Sequence, residues 1–74
     1  MDLKKLKGIR VEKGHTQDTL ARKLGVTTKT YNRKELGIIE FNRRELSLII
    51  KELEMNDDDA MEIFFTLMIT NMAT

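Results

Sequence analysis

Seventy-four residues suffice for one domain with a modest core and not for two. The chain has no cysteine, which excludes disulfides, thiolate metal sites and cysteine nucleophiles, and its one histidine, His15, has no acid or second histidine at ligand spacing, so neither a metal nor a cofactor is expected. A net charge of +1 conceals a separation: all thirteen basic residues and six acids lie in residues 1–51 (+7), and the other six acids stand alone in residues 52–74 (−6), the pattern of a chain whose first part meets a polyanion or of a surface that is simply uneven.

The chain contains no proline, and its glycines fall where helices should end, so the periodicity predicts an all-α protein, a compact five-helix bundle forming a single domain over residues 1–74. The first helix is expected from about Asp2 to Lys13, with Leu3, Leu6, Ile9 and Arg10 on one face, stopping at Gly14. Its opening decapeptide mixes Asp2 with Lys4, Lys5, Lys7 and Arg10 and lacks the apolar run of a signal peptide, which favours a cytoplasmic location. The second helix opens at Thr16 as N-cap with Asp18 in its first turn, buries Leu20, Ala21 and Leu24, and closes at Gly25.

Thr27 caps a third helix that ends near Leu36 and Gly37, and Val26 with Tyr31 has the spacing of a hydrophobic staple. A fourth helix begins at Asn42, where Asn42 and Glu45 have capping-box spacing, and buries Leu46, Ile49, Ile50 and Leu53. The last, over residues 57–70 or so, is capped by Asn56 or Asp57, with Asp57, Asp58 and Asp59 on its positive end. Its apolar stretch, Ala60 to Met72, is interrupted by Glu62, Thr66, Thr70 and Asn71 and is shorter than the ~20 residues of a membrane span, so no membrane partner is expected.

The third helix has too little apolar surface to persist by burial alone. With Tyr31 inward and about 100° per residue, Lys29 and Arg33 project about 160° away, Asn32 lies on the flank and Thr28 in the first turn. The two cations are four apart on one face, a mutual repulsion that an anionic partner would reverse. Lys and Arg donate to guanine O6 and N7, Asn pairs with adenine and Thr meets the thymine methyl, so Thr28, Lys29, Asn32 and Arg33 are the candidates for base contact; an exposed helix carries the same residue types without any such role.

The run Thr16-Gln17-x-x-Leu20-Ala21-x-x-Leu24-Gly25-Val26-Thr27, flanked by Leu6, Ile9, Arg10, Lys13-Gly14, Thr30, Glu35 and Gly37, resembles the phage-repressor and Cro-like helix-turn-helix family, with the helix-turn-helix itself at about 16–36. The resemblance is dense over Leu6 to Gly37 and looser to Leu53. It implies a bacterial or phage-encoded transcriptional regulator that binds double-stranded DNA with the motif's second helix in the major groove. Position by position, it implies phosphate contacts from Gln17, Thr27, Arg43 and Arg44, and a structural salt bridge between Arg10 and Glu35. Two positions depart from the pattern. Lys34 stands where an apolar residue is usual and either carries its stem over the core to reach a phosphate or marks a rotated helix; His15 also replaces an apolar residue.

In the last helix Ala60, Ile63 and Leu67 form one stripe, and Met61, Phe65, Met68 and Met72 form a second with Phe64 between. The first is expected to pack on the core and the second to meet its copy in a homodimer, a buried monomeric helix being the alternative. An enzyme is the class with least support, for want of a nucleophile–base set or a Gly-rich phosphate loop. The rival is an antitoxin-like or anti-repressor module that engages a protein partner through the apolar C-terminal helix.

Overall fold

A computed structural model describes residues 1–64 of the chain. Among them are five helices and no strand: α1 (Leu3–Glu12), α2 (Gln17–Leu24), α3 (Thr28–Glu35), α4 (Arg43–Glu52) and α5 (residues 57–64). The five-helix, all-α expectation holds, and the caps at Thr16, Thr27 and Asn42 fall where side-chain chemistry placed them, while Asp2, expected as the first residue of its helix, caps it instead. Asp2, Thr16, Thr27 and Asn42 each accept the backbone N–H three residues on, satisfying donors that a helix start leaves open. Asn42 and Glu45 complete the reciprocal capping box. Of the two candidates for the last cap, Asn56 is the one used, accepting from the Asp59 N–H at 2.8 Å.

Two left-handed glycines set the turns around α3. At the end of α2, Gly25 (φ 76°) lets the Val26 N–H reach back to the Ala21 carbonyl at 3.0 Å. At the end of α3, Gly37 (φ 83°) lets Ile38 do the same to Arg33 at 2.9 Å. A side chain at Gly37 would be strained by this backbone conformation, and its Cβ would sit 3.2 Å from the Leu3 Cδ1 atom, which would have to shift by a few tenths of an ångström.

The core is drawn from every helix: Leu6; Leu20, Ala21 and Leu24; Tyr31; Leu46 and Ile49; Ile63 and Phe64, with Leu53 at the close of α4. Each large apolar side chain taken fully from water stabilises the fold by about 1.5–3 kcal/mol, an upper figure given residual burial in the unfolded chain. Phe41, in the loop between α3 and α4, joins this core and meets Tyr31 edge-on, with ring centroids 6.0 Å apart. Its burial has no helical periodicity to announce it.

The acidic start of α5 is engaged as well as solvated. Lys5 of α1 pairs with Glu62 and, at 3.3 Å, with Asp59, while the Asp2 N–H donates to the Ile63 carbonyl at 3.2 Å. The Glu62 and Asp59 carboxylates hold the Lys5 ammonium above the ordinary lysine range, against a smaller opposing effect of desolvation. Ala60 and Ile63 of the first stripe are buried and so is Phe64, whereas Met61 of the second is 44% exposed. Phe65, Met68 and Met72 lie outside the described residues, as does Leu67. No helix among the described residues is long and apolar enough to cross a membrane.

Candidate nucleic-acid interface

The inward face of α3 is anchored by three neighbouring side chains. Tyr31 is fully buried, its hydroxyl without a hydrogen-bond partner among the described residues. Burial chiefly, and the nearby Glu35 carboxylate secondarily, push its phenol far above the ordinary tyrosine range. Glu35 receives Arg10 of α1 as a fork, Nε to Oε2 at 2.9 Å and Nη2 to Oε1 at 3.1 Å, and the remaining Nη1 donates to the His15 carbonyl at 2.8 Å. His15 thus contributes its backbone to the scaffold.

Lys34 corrects the expectation of a phosphate contact. It is buried, and its ammonium donates to Glu45 Oε1 and to the Glu40 carbonyl, each at 2.9 Å, while lying 5.8 Å from the centre of the Phe41 ring. The stem does cover the core, but its charge turns towards α4 and is neutralised there. The role of Glu45 was missed for a related reason: the same Oε1 that takes Lys34 also accepts the Asn42 N–H at 2.9 Å, so the capping spacing alone accounted for the residue.

The opposite face is open. Lys29 and Arg33 are exposed, as is Arg43 at the start of α4, and none of the three has an ion pair or side-chain hydrogen bond among the described residues. Thr28 is exposed too, its hydroxyl donating to Asp18 Oδ1 at 2.9 Å. Arg44, expected at a phosphate, uses Nη2 on the Leu24 carbonyl at 3.0 Å, at the negative end of α2. The side chain is otherwise exposed, so it joins α4 to α2 and still presents charge.

The other expected phosphate contacts need revision in their chemistry. Gln17 directs its amide NH2 inward, to Asn32 Oδ1 at 3.0 Å and Glu35 Oε1 at 3.3 Å. Its remaining amide atom is an acceptor, which a phosphate repels, so only the unpaired backbone donors at the start of α2 suit an anion there. Thr27 is similarly committed: its hydroxyl accepts from the Thr30 N–H at 3.1 Å and bonds the Thr30 hydroxyl at 3.0 Å, leaving backbone N–H groups as the donors for an anion. Asn32, half-buried, is joined to Gln17 and lines an open groove with Lys4 and Lys7 of α1.

Beside the cationic face the α3–α4 loop exposes Leu36 and Ile38, at 65% and 69%, together with part of Ile39. Helical periodicity is silent there because the three straddle Gly37, where the helix has ended.

The family model described as helix-turn-helix matches residues 6–59, which spans α1 to the start of α5. No curated protein and no solved structure matches the chain.

Proposed function

Because the chain belongs to the helix-turn-helix family typical of Cro- and repressor-like DNA-binding regulators, we propose that it reads double-stranded DNA sequence-specifically, as a homodimer on a palindromic operator. The observation that carries this reading is the two-sided character of α3. Its inward face is fixed by Tyr31, Lys34 and Glu35, while Lys29 and Arg33 stand exposed and unpaired among the described residues on the other side. Like charges four apart on a short helix destabilise it by a few tenths of a kcal/mol unless an anion lies between them. A DNA major groove supplies that charge together with guanine acceptors.

In this reading Thr28, Lys29, Asn32 and Arg33 face the bases. Arg43, Arg44 and the backbone donors at Gln17 and Thr27 hold the phosphates on either side and set the register. The second copy is engaged through Met61, Phe65, Met68 and Met72, an arrangement supported by the exposure of Met61 beside buried Ala60 and Ile63. A pair of recognition helices about one DNA turn apart, ~34 Å, then reads two half-sites.

The test is enrichment from a randomised duplex library at about physiological salt, where competition separates base reading from charge. A palindromic motif with a fixed half-site spacing is the expected result. Enrichment of no sequence overturns the reading and turns attention to a protein partner, for which the exposed Leu36, Ile38 and Met61 are the observed apolar surface.

A further inference from the structure

One polar side chain on the flank of α3 has its orientation imposed from inside the protein. Arg10 can only donate, and it grips Glu35 through Nε and Nη2 at 2.9 and 3.1 Å. An ionised carboxylate can only accept, so the Gln17 amide, 3.3 Å from Glu35 Oε1, must turn its NH2 rather than its oxygen towards it. That same nitrogen lies 3.0 Å from the Asn32 side chain, which is then obliged to answer with Oδ1. A polarity set by the guanidinium of α1 is thereby relayed through Glu35 and Gln17 to Asn32, across three helices. The Asn32 NH2 is left without a partner among the described residues, on a side chain that lines the groove shared with Lys4 and Lys7.

We propose that Asn32 reads DNA as a donor, selecting a guanine through its N7 and O6 acceptors, and that Gln17 and Glu35 are positioning residues for that specificity. The inference rests on the DNA-binding reading above. An unrestrained asparagine pairs with adenine by donating to N7 while its oxygen accepts from N6. Here one lone pair of Oδ1 is taken by the Gln17 NH2 and the direction of the amide is fixed by it, so adenine pairing must use the second lone pair in an orientation that Gln17 sets, and the guanine edge, which asks only for donors, is preferred.

The experiment selects sites from a randomised duplex library with the full chain and with its Asn32→Ala and Gln17→Ala variants. In each half-site the position that Asn32→Ala relaxes is expected to be a G·C pair in the unaltered protein. Replacing its guanine with 7-deazaguanine, which lacks the N7 acceptor, should weaken binding about tenfold and leave Asn32→Ala indifferent. Gln17→Ala releases the amide, so A·T should be enriched there beside G·C. An A·T pair at that position in the unaltered protein, or a Gln17→Ala variant with an unchanged preference, overturns the proposal while leaving DNA recognition intact. Enrichment of nothing by the unaltered protein removes the reading itself and the proposal with it. The relay is also checked without DNA by NMR of the unaltered chain. Slow exchange of the Gln17 NH2 protons and their proximity to Asn32 are expected, and free exchange of those protons contradicts the relay.

Discussion

The third helix, α3, is held on two sides by ion pairs of equal burial and different construction. Towards α1, Arg10 and Glu35 meet as a planar fork, and the third donor direction of the guanidinium is used on a backbone carbonyl. Towards α4, Lys34 is a point charge that shares one oxygen of Glu45 with the α4 cap. The Arg pair derives its strength from bidentate geometry and passes a polarity on to Gln17; the Lys pair joins α3 and α4 at a single atom. Between them α3, which has only Tyr31 as a large buried apolar residue, is held without using its outer face.

Matched truncations of the two acids give the largest expected effects. Glu35→Ala leaves Arg10 buried and uncompensated, a loss of about 3–5 kcal/mol. Glu45→Ala should cost roughly 1 kcal/mol more, because it removes half of the capping box as well. Urea unfolding followed by circular dichroism measures both, against a total stability on the order of 4–11 kcal/mol for a domain of this size. Equal losses would mean that the shared oxygen has no second role. Next, Lys34→Met combined with Glu45→Gln should lie within ~1 kcal/mol of the unaltered protein, since it removes both charges and keeps an acceptor for the Asn42 N–H. A double variant as unstable as the single truncation would show that the pair contributes attraction rather than mutual neutralisation.

Alkaline pH probes the space between the two pairs. Tyr31 is the one tyrosine of the chain, and burial holds its phenol protonated beyond the ordinary value of 10.0. Above that value the unfolded chain has released a proton that the folded chain still binds, so stability is complete below about pH 10 and falls as pH rises further. Loss of the Lys5 charge acts in the same direction. Tyrosinate absorbance should therefore appear together with loss of helical signal; ionisation before any unfolding would contradict the burial of the ring. The smallest effect is expected at the exposed Asp18–Arg22 pair, where Asp18→Ala should change stability by less than ~1 kcal/mol.

The two sides of α3 also differ in how far the sequence reveals them. The Arg10–Glu35 positions stand in the resemblance to repressor-like proteins, and the helix caps are legible because Thr16, Thr27 and Asn42 act within three residues of themselves. Lys34–Glu45 and Phe41 are tertiary features: an ammonium in a core-facing position has several possible partners, and a single aromatic in a loop carries no period. The direction of the Gln17 amide is likewise hidden, since glutamine suits a phosphate through its NH2 and only the adjacent Glu35 decides which way it turns. The candidate reading face, Lys29 and Arg33 opposite Tyr31, follows from helical geometry alone.

Whether the outer face of α3, where Lys29 and Arg33 are exposed, meets a polyanion is measured most directly by the salt dependence of duplex binding. For the full chain the logarithm of the binding constant should fall linearly and steeply with the logarithm of salt concentration. Arg43→Ala should reduce the slope by about 1 and weaken selected and random duplexes alike, whereas Arg33→Ala should also reduce the preference between them. Binding that is insensitive to salt, or equal losses on both duplexes for both variants, would contradict the assignment of this face to DNA.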